Sequence, residues 1–382
     1  MQCQAAVLRG IGKQWEIQEI TLDPPREGEV LVKMAVAGVC HSDDHFATGD
    51  CVPAPELAAM MFPVLGGHEG AGVVVDVGPG VRSVRPGDRV AMSFIPACGC
   101  CRWCVSGMTY LCDAGAMLFA KGMTTDSTSR RHLGDDDLMA MTQLGTFAEY
   151  AVLAAESVIK IDESIPFEAA ALVSCGVTTG WGSATVGAGT QPGDTVVVIG
   201  TGGVGMNALQ GARAAGATHI VAVDPVEFKR DSAKLFGATH TCPSIEQAFP
   251  LVQELTCGVM AERVVLTPSV LCAEMLAPAL MLVSKGGTCL LTAIPKCEVN
   301  TVPLVLVDII QSCKHLKGLI YGGMNPRASM PMLLSMYRSG QLKLDELVTQ
   351  RYRLDQINDA ITDMREGRNI RGIIEFADSH AV

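Results

Sequence analysis

Residues Thr195–Asp224 read TVVVIGTGGVGMNALQGARAAGATHIVAVD. The apolar, β-branched run Thr195–Ile199 has the pattern of a strand covered on both faces of a parallel sheet. A complete G-x-G-x-x-G follows, Gly200-Thr201-Gly202-Gly203-Val204-Gly205. Val204–Ala215 then has helical composition and ends at Gly216. His219–Val223 is a second apolar strand, closed by Asp224. Gly200 permits a tight turn, Gly202 lets a pyrophosphate approach the backbone, and Gly205 lets helix and strand pack closely. The helix start, with Gly203 and Val204, offers free N–H groups to phosphate. Asp224 suits two ribose hydroxyls, and a 2′-phosphate would meet like charge. The unit therefore reads as a site for NAD rather than NADP, although Lys229 and Arg230 stand close enough to oppose that preference. A glycine-rich turn without ligand is the competing reading; strand, helix, strand and acid in register weigh against it.

The rest of the chain extends this α/β pattern. Phe228–Phe236, Ser269–Val283 and Val305–Gln311 read as helices; Arg263–Leu266, Thr288–Ile294 and His315–Tyr321 read as strands. Such alternation predicts a doubly wound parallel sheet. Before it, Ala5–Leu8, Trp15–Ile20, Val30–Val36, Val73–Val77 and Phe147–Val152 read as strands punctuated by Gly and Pro, with a helix at Pro166–Leu172. Residues 113–143 are polar and glycine-containing, and predict a long surface loop with little regular structure. The tail carries a helix, Leu354–Glu366, and a last strand, Arg371–Phe376.

A length of 382 residues suggests two domains. A net charge of −11 without a basic cluster argues against nucleic acid and anionic membrane surfaces. No apolar run approaches the roughly 18 residues needed to span a bilayer. The start, MQCQAAVLRG, shows no secretory pattern, so a cytoplasmic location is expected. There, 15 cysteines are better read as metal ligands and small buried residues than as a disulfide framework.

Two cysteine groups stand out. Cys98-x₂-Cys101-x₂-Cys104-x₇-Cys112 can close four thiolates around Zn²⁺ with no open position, which is a structural site. Cys100 is a fifth thiol there, and an exchange with Cys101 stays open. Cys40-His41-Ser42-Asp43-Asp44-His45 sets cysteine and histidine beside carboxylates, as a metal site would. Cys175, read alone, is a cysteine near a turn.

Gly67-His68-Glu69, Gly72, Gly78 and Val81 meet the spacing G-H-E-x₂-G-x₅-G-x₂-V. Here the chain resembles the zinc-dependent alcohol dehydrogenases of the medium-chain dehydrogenase/reductase superfamily, from near its start to about Gly372. The resemblance implies a GroES-like, mostly β catalytic domain (1–177 with 321–382) and a Rossmann domain (178–320). It implies a catalytic zinc on Cys40, His68 and Cys175, with Asp43 behind His68. It implies a proton path from Ser42 through the NAD ribose to His45. An exposed loop histidine is the other reading of His45. Glu69 either ligates the metal transiently or forms a plain salt bridge. The resemblance also implies that Thr179 and Val204 line the nicotinamide pocket and that Arg371 binds phosphate. His41 stands where several relatives carry a phosphate-binding arginine. The implied substrates are an alcohol and its aldehyde, in a homodimer or homotetramer.

A narrower resemblance rests on Gly176–Ala184 (GVTTGWGSA) and Val223–Thr241. It points to the actinobacterial enzymes assayed with nitrosodimethylaniline, which retain NAD and use an external redox acceptor. A thiol-adduct formaldehyde dehydrogenase and a non-catalytic NAD(H) sensor are the alternatives.

Overall fold

The protein is described here by a computed structural model that covers residues 1–50, 60–117 and 120–376. Residues 51–59 and 118–119 lie outside them. The chain divides into two units, Met1–Cys175 with Asn325–Val382, and Gly176–Met324.

In Gly176–Met324, six strands form one parallel sheet. Their order is His240–Cys242, His219–Val223, Thr195–Ile199, Ala261–Leu266, Val283–Leu291 and His315–Gly318. Chain order thus runs outward one way from Thr195–Ile199, then outward the other way. That reversal creates the crevice where such sheets bind ligands. Every residue of Thr195–Ile199 is buried, as the unbroken apolar run requires. The helix Gly203–Ala214 leaves this strand through Gly200, whose φ of +89° is open to glycine at little cost. A Cβ on Gly205 would collide with the Gly200 carbonyl, so the packing expected of this glycine is present. One core joins Val197, Val221, Val264 and Cys289 to Leu276, Leu280, Ala248 and Val252 of the covering helices.

The other unit holds two sheets. In one, Glu29–Val39 is central, pairing with Glu69–Val77, Tyr150–Ala154 and Arg371–Glu375. The tail returns to the first part of the chain, with Arg371–Glu375 antiparallel to Glu29–Val39. The second sheet runs Asp136–Asp137, Arg131–Leu133, Trp15–Leu22, Gln2–Leu8, Val64–Leu65 and Met139–Ala140.

This second sheet corrects the expectation for residues 113–143. Three of its strands come from that segment, and its polar residues are not all solvated. Arg130 is fully buried, and its Nε and Nη2 donate to Glu29 Oε2 and Oε1, each at 2.8 Å. The Arg130 Nη2 also reaches Asp126 at 2.6 Å. Polarity in sequence marked charge correctly but said nothing of a counter-charge about a hundred residues away.

Two further helices, Ile245–Leu255 and Pro326–Arg338, were not expected. Each holds an internal proline, Pro250 or Pro331, which ordinarily argues against a helix. The polar group after Cys40 is also a helix, His41–Thr48, ended by Gly49 at φ +84°. Two turns are too short to show the apolar period by which helices are read. Among the described residues no helix is long and apolar enough to cross a membrane.

Candidate active site and metal clusters

The glycine loop presents an open backbone. A Cβ on Gly202 would meet nothing within 4 Å, so the space a phosphate needs is present. Gly203 and Val204, at the helix start, are only partly covered. Asp224 is buried, its Oδ2 accepting from the Thr201 N–H at 2.8 Å and its Oδ1 from the Val226 N–H at 2.9 Å. These bonds fix the carboxylate at the strand end and leave lone pairs for ribose hydroxyls. Arg230 Nη1 donates to the carbonyls of Asp224 and Pro225, each at 2.8 Å. That guanidinium is therefore already engaged, which favours the NAD reading. Lys229 lies one position earlier on the helix Glu227–Leu235 and is half-buried. Thr179 is buried on the helix Gly176–Gly182, and its Oγ1 has no protein partner.

The lobe 98–112 brings the sulfurs of Cys98, Cys101, Cys104 and Cys112 within 4.8 Å of one another. A zinc–sulfur bond of about 2.3 Å sets tetrahedral sulfurs roughly 3.8 Å apart. The Cys98–Cys104 separation, 4.0 Å, is close to that value. The short helix Arg102–Val105 sets the spacing, with the Cys104 N–H donating to Cys101 Sγ at 3.5 Å. Four convergent thiols suit a closed zinc site. Cys101 belongs to the convergent set, and Cys100 is exposed beside it.

The second cluster is buried. Ligand atoms of Cys40, His68, Glu69 and Cys175 lie within 4.8 Å of one another. Cys40 ends the strand Glu29–Val39 and immediately precedes the helix His41–Thr48. His68 precedes the strand Glu69–Val77. Cys175 follows the helix Phe167–Val173, and its neighbour Ser174 locks that position. Ser174 Oγ accepts from the Gly70 N–H at 3.3 Å and donates to the Gly70 carbonyl at 3.1 Å. Neither Ser174 nor this clamp was singled out in the sequence, where a serine beside a cysteine carries no signal.

Asp43 organises the cluster. Its Oδ1 faces His68 Nδ1 at 3.2 Å and accepts from the Gly67 N–H at 3.1 Å; its Oδ2 accepts from the Cys40 N–H at 3.0 Å. With Nδ1 held, His68 Nε2 is buried and has no protein partner. An orphaned imidazole nitrogen facing two thiols is the donor set of a zinc site with one position open. The Cys175 thiol, hydrogen-bonded to the Cys40 sulfur, holds Cys40 well below the ordinary thiol range. Burial pushes the Glu69 carboxyl up to about 7, against the pull of Arg371.

Glu69 pairs with the guanidinium of Arg371. A Cβ on Gly38 would collide with the Glu69 carboxylate and lie 3.0 Å from Arg371, so glycine here makes the close approach of this pair possible. Arg371, expected on phosphate, pairs with Glu69 beside the metal cluster and keeps its Nε without a protein partner. Ser42 Oγ lies 3.8 Å from Cys40 Sγ. His45 is buried on the helix rather than exposed in a loop, and its Nδ1 faces Asp50 Oδ2 at 3.2 Å. His41 opens the same helix and is half-buried. Asp44 pairs with Arg365, whose Nε is 2.9 Å from each carboxylate oxygen. Neither Asp50 nor Arg365 was expected, because the first lies beyond the helix and the second is about 320 residues away.

Residues 26–163 match the alcohol dehydrogenase GroES-like domain, and residues 203–338 the zinc-binding dehydrogenase domain. The NDMA-dependent alcohol dehydrogenase of Amycolatopsis methanolica is 48% identical over 98% of this chain and 99% of its own length. Alcohol dehydrogenase B of Mycobacterium tuberculosis is also 48% identical, over 99% of each chain. S-(hydroxymethyl)glutathione dehydrogenase of Komagataella pastoris is 36% identical, over 98% of this chain and 97% of its own. Among solved structures, benzyl alcohol dehydrogenase from Acinetobacter calcoaceticus superposes with a TM-score of 0.89 at 27% identity, covering 99% of this chain and 100% of its own. With both domains matched and relatives this similar across nearly its whole length, the chain belongs to the zinc-binding alcohol dehydrogenase family.

Proposed function

We propose that this protein oxidises an alcohol to its aldehyde with NAD, using zinc held by Cys40, His68 and Cys175. The observation that carries the reading is His68, whose Nδ1 is held by Asp43 while its buried Nε2 faces two thiols with no protein partner. When bound, zinc supplies Lewis acidity at an alcohol oxygen and NAD supplies the hydride acceptor. The chain's own residues do the rest. Asp43 fixes the His68 tautomer and, through the Cys40 and Gly67 N–H groups, the backbone on either side of the site. Burial of Cys40, His68 and Cys175 excludes bulk water. Ser42 Oγ, beside Cys40, is the first acceptor for the alcohol proton, and His45 is the outer one. Asp224 and the Gly200–Gly205 loop hold the cofactor, Arg371 Nε and His41 serve its phosphates, and Lys229, Thr179 and Val204 complete its surroundings. The lobe Cys98, Cys101, Cys104 and Cys112 holds a second zinc with a structural role.

The finer reading is that NAD stays bound between turnovers and an external redox acceptor regenerates it, as the name of the Amycolatopsis relative suggests. No feature of the described residues favours the thiol-adduct formaldehyde dehydrogenase, and the assembled metal cluster weighs against a mere NAD(H) sensor. A cytoplasmic location fits the absence of disulfides among the described cysteines. A second copy of the chain fits the sheet edge His315–Gly318. Val305, Leu306 and Ile310 are 64%, 65% and 73% exposed on the neighbouring segment, an apolar face suited to a partner.

The test uses the protein as purified. A primary alcohol and nitrosodimethylaniline, without added NAD, should give turnover, and acid denaturation should release about one NAD per chain. Turnover only with added NAD, and none released, would overturn the retained-cofactor reading. No alcohol oxidation under either condition would overturn the dehydrogenase reading itself.

A further inference from the structure

The lobe 98–112 contains one thiol more than a tetrahedral zinc needs. Cys100 is exposed and outside the convergent set, yet its sulfur lies 3.7 Å from that of Cys98. The residue between them, Gly99, has φ +79°, and a Cβ there would meet nothing within 4 Å. Gly99 is thus free of packing, and rotation about it and the exposed Cys100 side chain can bring the sulfurs toward the roughly 2.05 Å of a disulfide. Two of the other exposed cysteines are placed differently: Cys272 and Cys313 rest on the carbonyls of Val270 and Ile310.

We propose that Cys100 is an oxidation site that pairs with Cys98 and opens the four-sulfur lobe. The proposal rests on the reading that this lobe holds zinc. The oxidant is hydrogen peroxide. Cys100 gives up its proton and attacks one peroxide oxygen as the thiolate; the S–O bond forms, the O–O bond breaks, the sulfur becomes a sulfenic acid, and the departing hydroxide takes the proton and leaves as water. The Cys98 thiolate then attacks that sulfur; the S–S bond forms, the S–O bond breaks, and hydroxide leaves to take up a proton. Two sulfurs have given up two electrons to one peroxide. Cys98 can no longer act as a thiolate ligand, so the lobe is left with Cys101, Cys104 and Cys112 and loses its ion. Exposure, and a second sulfur 3.7 Å away that can resolve the sulfenic acid, are the two features Cys100 shares with redox-sensing cysteines.

The test treats the purified holoenzyme with hydrogen peroxide and follows zinc by native mass spectrometry, beside the variant Cys100→Ser. Exposure of Cys100 makes this variant safe for folding. The wild type should go from two zinc ions per chain to one. Its tryptic peptide Val90–Arg102, alkylated afterwards, should carry the label on Cys101 alone. Cys100→Ser should keep both ions under the same treatment. The proposal is overturned if Cys100→Ser loses zinc as readily as the wild type, or if fragment ions pair Cys100 with Cys101. An untreated wild type without zinc in the lobe would overturn the underlying reading instead, and is seen separately before peroxide is added.

Discussion

The two sulfur clusters in this chain are built on opposite plans. The lobe draws four thiols from fifteen consecutive residues, with Cys98 and Cys101 only half-covered. The other cluster draws Cys40, His68 and Cys175 from three separate segments and buries all three. In the lobe, backbone N–H groups face the sulfurs and no carboxylate belongs to the convergent set. In the buried cluster, Asp43 orients the imidazole, and Glu69 and Arg371 stand behind it. A closed four-thiolate site has no room for substrate; a three-ligand site does. The difference teaches that, on the proposed reading, one element, zinc, would serve stability where ligands are local and complete, and chemistry where they are distant and incomplete.

The comparison can be broken most severely at Cys175. Cys175→Ser should leave the circular dichroism spectrum unchanged, lower the zinc content by one per chain, and reduce kcat by about 10³-fold or more, since several kcal/mol of charge stabilisation go with the metal. Retained activity with one zinc lost would place catalysis elsewhere. The mirror experiment is Cys112→Ser. It should also cost one zinc but act on stability, lowering Tm by roughly 5–10 °C, because metal binding to a structural site is folding free energy. Activity assayed well below that Tm should change far less than in Cys175→Ser.

Asp43→Asn sharpens the contrast within the buried cluster. It keeps the shape but loses the charge behind His68, so zinc affinity or activity should fall roughly 10–100-fold, measured by competition with a chelating dye. No comparable carboxylate exists to remove among the ligands of the lobe. The smallest effect is expected away from both clusters, at Asp126, whose carboxyl is held low by the Thr128 N–H and by Arg130. A depressed folded pKa stabilises the protein above the unfolded value, about 3.9, and that contribution is lost as pH falls. Asp126→Asn should therefore lose less Tm than the wild type between about pH 5 and pH 3; equal slopes would remove Asp126 from the account.

How much could be read in advance follows the same division. Thr195–Asp224 was legible because strand, turn, helix and acid are contiguous, and each glycine answers a local steric demand. Gly200 needs its positive φ, and Gly205 its bare Cα. The lobe was legible from spacing, except that Cys100 and Cys101 compete on paper and only the helix Arg102–Val105 separates them. The buried cluster became legible through the likeness of the Gly67-His68-Glu69 stretch to a known family. Cys175 on its own pointed nowhere, since the clamp that positions it joins Ser174 to Gly70 across 104 residues. Residues 113–143 were misread because burial of Arg130 depends on Glu29, and hydropathy carries no information about distant partners. The helix His41–Thr48 buries His45 and sets it against Asp50, a placement that two helical turns do not show in sequence.

The most direct test of the central claim is anomalous diffraction from crystals of the as-purified protein, recorded on both sides of the zinc absorption edge. Two peaks per chain are expected. One should lie among Cys98, Cys101, Cys104 and Cys112, and the other within about 2.0–2.3 Å of Cys40 Sγ, His68 Nε2 and Cys175 Sγ. A single peak in the lobe, with none at His68 in an enzyme shown to be active, would contradict the account.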